Sequence, residues 1–305
     1  MSPLLWVLPP ILLIAIVIFL LKNHEKNNLL HAILGGTIAI ILIGSLLVPA
    51  ITEYEREDVD LFVVAGQSNA AYLHYNLELC DPQVDGSYAI YYGTPEMPIV
   101  YGSHSTPTYD PTLKSYSFET ASSSNLAHLE APFSETYHSM TGHKVATVNV
   151  GISGSSIEEW QSNGFAWEYA STVIDDALSK LSDYKVHLKG FIWIQGESDS
   201  SMSAEDYEEY FLNTFDLFND KGFKDCFISK VRRDTSTSGQ RNPVGPSNAQ
   251  IAMCEEYTHI HMATEISDTF TVSNGLMESD NLHYNQLGQN LIGVAVGQYC
   301  ANYFD

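Results

Sequence analysis

Positive charge is what this chain has least of: lysine and arginine together number 14, against 37 aspartates and glutamates, for a formal net charge of −23. A surface this acidic repels phosphate, which argues against nucleic acid or an anionic membrane surface as partner. Solubility outside the cell is a sufficient reason for it. Cysteine is also scarce. Cys80, Cys226, Cys254 and Cys300 are widely spaced and form no C-x-x-C, so neither a zinc site nor any other metal or cofactor is expected. Four thiols outside the cytoplasm would permit disulfides. The apolar contexts of Cys226 and Cys254 equally suit buried free thiols, and both readings stand. Repeats, low-complexity tracts and interdomain linkers are missing after residue 58, which points to one domain there.

Charge is missing altogether from Pro3 to Leu21, and the only titratable group between Leu29 and Ile51 is His31. Each run reaches the ~20 apolar residues that span a bilayer core. We therefore expect two transmembrane helices, about residues 3–21 and 29–51, forming a membrane hairpin over residues 1–52. A signal peptide fits less well, because no basic segment precedes the first run and the second is too long. The connecting loop, Lys22 to Asn28, holds two lysines, whereas Thr52 to Asp58 holds one arginine among four acids. The positive-inside rule then puts the loop in the cytoplasm, and residues 53–305 are expected to be membrane-anchored and extracytoplasmic. Gly35-Gly36 is a weak signal for helix packing.

Residues 53–305 are enough for one substantial core. Five short apolar runs read as strands: Leu61 to Ala65, Val145 to Val150, Gly190 to Ile194, Asp225 to Val231 and His259 to Ala263. Between and after them, Ser124 to Met140, Trp167 to Leu181, Ala204 to Phe218, Ser247 to Tyr257 and Gln286 to Tyr303 carry apolar residues at helical spacing. Alternating strands and helices predict an α/β fold, a three-layer α/β/α sandwich around a five-stranded parallel sheet. Ligands of such folds bind beyond the carboxyl ends of the strands. Ser68, Gly151 to Ser156 and Gln195 to Asp199 all fall there. The stretch from Asp81 to Ser123 lacks periodicity and reads as an elaborated loop over that edge. Its tyrosines, Tyr88, Tyr91, Tyr92, Tyr101, Tyr109 and Tyr116, either stack on a substrate ring or pack the loop onto the body.

Two motifs at opposite ends of this part hold complementary chemistry. Ser68, in Gly66-Gln67-Ser68-Asn69, follows a strand-like run on a tight turn that would expose its hydroxyl. A serine alcohol needs an imidazole to take its proton, and the imidazole needs a carboxylate to fix its tautomer and stabilise its cation. Asp280-Asn-Leu-His283 supplies both within one local turn. Read in isolation, Ser68 is more simply a helix N-cap, and Asp280 a cap or turn residue before the last helix.

Gly151-Ile-Ser-Gly154-Ser-Ser-Ile-Glu-Glu-Trp160 and Trp193-Ile-Gln195-Gly196-Glu197-Ser198-Asp199 complete a set of four ordered blocks. Together they resemble the SGNH hydrolases, specifically the sialate O-acetylesterase-like branch of the carbohydrate acetylesterases, over about residues 58 to 303. Three blocks match closely. The second departs, with Ser153 and Ser155 standing where that branch has glycine and threonine. The resemblance implies a flavodoxin-like sheet and a carboxylic ester hydrolase with Ser68 as nucleophile, His283 as base and Asp280 as orienting acid. It also implies an oxyanion hole from the N–H groups of Ser68 and Gly154 and the amide of Gln195. Gln67, Asn69 and Glu197 would support the site, Glu197 and Asp199 being loop braces rather than a glycosidase-type acid pair. The implied substrate is an acetylated carbohydrate. Alternatives are an O-acyltransferase using the same three residues and a non-catalytic glycan-binding ectodomain. The particular glycan and the oligomeric state are not legible in the sequence.

Overall fold

The computed structural model describes residues 56–71, 76–80, 88–93, 117–120, 128–233 and 242–305. Both expected membrane helices lie outside these residues, as do Tyr101, Tyr109 and Tyr116. Among the described residues no helix is long and apolar enough to cross a membrane.

Glu57–Asp305 forms one compact unit around a seven-stranded sheet of order β3-β2-β4-β1-β5-β6-β7. The central strands, β1 (Asp58–Gly66), β4 (Val145–Asn149) and β5 (Lys185–Ile194), are the apolar runs, with Val63 beside Val148 on one side and Phe191 on the other. β6 (Cys226–Ser229) and β7 (Ile260–Thr264) extend the sheet in parallel beyond β5. The expectation of five strands is corrected at the opposite edge. There β2 (Ala89–Gly93) pairs in parallel with β4, and β3 (Ser117–Thr120) pairs antiparallel with β2. Six strands are therefore parallel, and part of the stretch taken for a loop is sheet.

Side chains alternate along each strand, so the sheet has two buried faces. Leu61, Val63, Phe191, Trp193 and Ile228 pack on α2 (Phe165–Lys180), α3 (Ala204–Asp220) and α4 (Val244–Glu256). Phe62, Val64, Ile192 and Phe227 pack on α1 (Glu130–Thr141) and α5 (Gln286–Phe304). Phe62 anchors the second layer with ring contacts to Phe133 at 4.9 Å and Tyr137 at 5.1 Å. No disulfide joins the cysteines. Burial pushes the Cys226 and Cys300 thiols well above their usual range and Cys254 up to about 12, so all three stay protonated and inert.

Candidate active site

Three pieces of the site follow the carboxyl ends of β1, β4 and β5, and the fourth lies on the connection from β7 to α5. β1 ends at Gly66, whose φ of 135° and absent side chain allow the main chain to pass the end of β5. A Cβ there would lie 2.0 Å from the Ile194 carbonyl oxygen. The chain then turns sharply: Gln67 N–H donates to that same carbonyl at 3.0 Å, and the N–H groups of Ala70 and Ala71 return to the Gln67 carbonyl at 2.8 and 2.9 Å. Ser68 sits within this turn.

Met277 and Tyr284 form an isolated antiparallel bridge that closes the loop carrying Asp280 and His283. Asp280 Oδ1 accepts the N–H groups of Leu282 and His283 at 2.9 and 3.0 Å, so the carboxylate shapes its own turn. Its other oxygen receives His283 Nδ1 at 2.5 Å. Partial burial pushes the Asp280 carboxyl upward, but the two N–H donors and the imidazole outweigh it and hold the group below the usual range, ionised at neutral pH. His283 Nε2 faces Ser68 Oγ at 3.0 Å. The three residues form one chain of hydrogen bonds across 215 residues of sequence. The last helix is capped instead by Asn285, whose side chain accepts from Gly288 N–H, so Asp280 serves the turn rather than the helix.

The supporting residues bind the blocks to one another. Gln67 Oε1 accepts the N–H groups of Ser198 at 3.0 Å and Gly196 at 3.4 Å. Asn69 donates to Glu197 Oε1 at 2.6 Å and to the Leu282 carbonyl at 3.2 Å, while its Oδ1 accepts Tyr284 N–H at 3.0 Å. It thereby grips the main chain on both sides of His283. Asp199 accepts Ile157 N–H at 3.0 Å and a short bond from the Gln195 amide, tying the second block to the third. Burial pushes its pKa up to about 6 against those two hydrogen bonds and in concert with nearby Glu158 and Glu159.

Gln195 departs from its expected role. It is wholly buried. Its amide nitrogen donates to Asp199 Oδ2 and to the Ser155 carbonyl, and its Oε1 accepts Tyr207 Oη–H at 2.8 Å. Both amide hydrogens are committed, so none is left for an oxyanion. Neither Ser68 N–H nor Gly154 N–H has a protein acceptor among the described residues. Gly154 lies on a loop drawn to the nucleophile turn by Ile152 N–H, which donates to the Gly66 carbonyl at 2.9 Å. At Gly151 a Cβ would lie 2.8 Å from Ala71 N.

Further contributors lay outside the motifs. Tyr207 and Gln250 hold Gln195 from below, Gln250 donating to the Gln195 carbonyl at 2.8 Å and accepting Val231 N–H at 2.8 Å. Arg232, three residues past the end of β6, reaches Asn281 in the Asp280–His283 turn, and only its place beyond a strand end hinted at this. Of the tyrosines, Tyr88 and Tyr91 have described surroundings. Tyr91 is buried. Tyr88 stacks on His138 at 4.0 Å, beside a cavity of about 540 Å³ lined also by Asp58, Asp60, His143 and His187. No residue of the four motif blocks lines that cavity.

A serine, a histidine and an acid in hydrogen-bonded series form the arrangement that nucleophilic catalysis by a serine requires. The chain matches, over residues 58–302, the family described as carbohydrate esterase, sialic acid-specific acetylesterase, and belongs to it. It is thus a carboxylic ester hydrolase of the carbohydrate acetylesterase type. Among solved structures it is similar to a protein of Arabidopsis thaliana, with 14% identity, 81% of this chain and 99% of that chain covered, and a TM-score of 0.56. It is also similar to a carbohydrate acetylesterase of Xanthomonas citri, with 17% identity, 81% of this chain and 57% of that chain covered, and a TM-score of 0.52. At these identities the likeness is one of fold. No relative was found among curated protein sequences.

Proposed function

We propose that the chain is a membrane-tethered serine esterase that removes O-acetyl groups from a carbohydrate outside the cytoplasm through an acetyl-enzyme. The observation that carries this reading is the hydrogen-bonded series from Ser68 Oγ to His283 to Asp280, set in a chain of the carbohydrate esterase family.

Ser68 Oγ attacks the acetyl carbonyl carbon while its proton passes to His283 Nε2. The carbonyl oxygen becomes an anion held by the N–H groups of Ser68 and Gly154, donors with no acceptor among the described residues. The tetrahedral intermediate collapses, the C–O bond to the sugar breaks, and the sugar oxygen leaves with the proton from Nε2. Water then attacks the acetyl-Ser68, gives one proton to Nε2, and acetic acid departs as that proton returns to Oγ, its remaining acidic proton passing to solvent to give acetate. Asp280 remains ionised throughout, fixing the imidazole tautomer and stabilising the imidazolium. The tether is supported by the two apolar runs before residue 52, and the extracytoplasmic side by the lysines between them.

The test is hydrolysis of p-nitrophenyl acetate and then of acetylated sugars by the detergent-solubilised full chain, beside Ser68→Ala and His283→Ala. Activity lost in both variants is expected. Equal turnover by Ser68→Ala, or none by the folded wild type, would sink the proposal.

A further inference from the structure

The turn carrying Asp280 and His283 contains an uncommon backbone. Asn281, between them, has φ of 54° and is the non-glycine residue with positive φ among the described residues. Such a conformation is uncommon outside glycine and persists where neighbours hold it. Inside the turn, Asn69 holds the Leu282 carbonyl and the Tyr284 N–H. Outside it stands Arg232. Its Nη1 donates to the Asn281 carbonyl at 3.3 Å, its Nη2 to Asn281 Oδ1 at 3.2 Å, and its Nε to the Phe270 carbonyl at 2.9 Å. The planar guanidinium thus grasps both the main chain and the side chain of one residue and ties them to Phe270, earlier in the same connection. Its own anchorage is firm: Val231 N–H, one residue earlier, bonds to the buried Gln250, which bonds to Gln195.

We infer that Arg232 is a positioning residue for catalysis, fixing the turn at Asn281 so that His283 keeps its place between Asp280 and Ser68. The inference rests on the esterase reading and extends it to a residue outside the four motif blocks. Asp280 is half exposed, and the Ser68–His283 contact of 3.0 Å leaves little tolerance. A turn free to relax out of the left-handed conformation would swing the imidazole, and a displacement on the order of 1 Å lowers turnover about 100-fold. Lysine cannot substitute, because a single ammonium cannot span the Asn281 carbonyl, the Asn281 side chain and Phe270 together.

The experiment compares full-chain wild type, Arg232→Ala, Arg232→Lys and Asn281→Gly. It records kcat and KM on p-nitrophenyl acetate, thermal unfolding, and the proton NMR signal of the His283 Nδ1–H shared with Asp280. In Arg232→Ala, kcat is expected to fall about 10- to 100-fold with KM little changed, the fold retained and the His283 proton broadened by exchange with water. Arg232→Lys should recover only a minor part. Asn281→Gly, which keeps access to positive φ while losing one acceptor, should show a smaller fall of the same kind. Unchanged kcat and an unchanged proton signal in Arg232→Ala would overturn the inference, as would a loss of activity that merely tracks the fraction unfolded. Should Arg232→Ala not fold, an Asn281→Gly variant with wild-type kcat and proton signal would overturn it instead. Absence of esterase activity in the wild type would fail the functional reading alone, since the His283 signal reports Arg232's role without turnover.

Discussion

Asn69 and Glu197, 128 residues apart, are joined by a buried hydrogen bond of 2.6 Å from the Asn69 amide to Glu197 Oε1. The same amide nitrogen reaches the Leu282 carbonyl, so one side chain next to the nucleophile ties the third motif block to the loop of the base. Three sequence-distant segments are thus held to one another by amide hydrogen bonds in addition to the apolar cluster that Ala70, Ile194 and Tyr284 share.

Asn69→Asp tests this arrangement more sharply than Asn69→Ala. The aspartate still accepts Tyr284 N–H but faces Glu197 with an oxygen where a donor stood. Alanine should lower kcat and leave most of the stability. Aspartate should lower both, and regain stability as the pH falls, because two carboxylates this close cannot both ionise and one pKa must rise. Urea unfolding of the two variants at pH 5 and pH 8 checks it. An Asn69→Asp variant no more pH-sensitive than Asn69→Ala would show that the contact is not formed.

Gln195→Leu separates two roles for that residue. A lost oxyanion donor would reduce kcat about 10²- to 10³-fold without touching stability. The structure instead makes Gln195 a buried brace whose loss takes one hydrogen bond each from the Tyr207 hydroxyl, Asp199 and the Ser155 carbonyl. A destabilisation of about 3 kcal/mol is expected, or roughly 6–12 °C in melting temperature for a domain of this size. Calorimetry beside kcat decides: an unchanged melting temperature with a large kcat loss would restore the oxyanion role.

Gly151→Ala should act on catalysis through distance alone. The new Cβ would stand 2.8 Å from Ala71 N and 2.9 Å from the Ala70 carbonyl carbon, both backbone atoms with little freedom to move. The loop bearing Gly154 must then shift away from the nucleophile turn. A kcat loss approaching 100-fold with KM little changed is expected, measured beside the wild type with thermal unfolding of both recorded, and an unchanged kcat would show that the loop absorbs the added Cβ without moving.

What the sequence made legible follows burial. β1, β4, β5 and β6 stood out because strands covered on both faces are near-continuous apolar runs, while β7, half-buried at the far edge, was marked by Ile260 and Met262. β2, Ala-Ile-Tyr-Tyr-Gly, and β3, Ser-Phe-Glu-Thr, are short and lie inside a polar, aperiodic stretch, so their pairing with β4 and with each other left little apolar signal to read. Ser68, Asp280 and His283 were legible because each sits in a compact motif. The direction of the Gln195 amide was not, since Tyr207 and Ser155, far away in sequence, help determine it. Nor was Arg232, whose partner Asn281 is brought near only by the fold.

Asp199 supplies a pH signature that no motif residue would give if it were exposed. Its carboxyl is raised from 3.8 to about 6, chiefly by burial. A group whose folded pKa lies above its unfolded value contributes stability that is complete below the unfolded pKa and is lost as pH rises through the folded one. Between about pH 4 and pH 6 Asp199 should therefore cost the folded state up to about 3 kcal/mol. Asp280, Asp225 and Asp58 are all lowered and act in the opposite sense, gaining stability as the pH rises from acid. The wild-type profile alone mixes these contributions. Asp199→Asn isolates one of them: an amide whose oxygen takes the place of Oδ2 still accepts from Ile157 N–H and Gln195 but cannot ionise. Unfolding free energies at pH 4, 5, 6 and 7 should show the variant gaining on the wild type as pH rises, with most of the gain complete just above pH 6. A difference between the two proteins that stays constant across that range would mean that Asp199 ionises at an ordinary carboxylate pH and that its pocket is wetter than its burial implies.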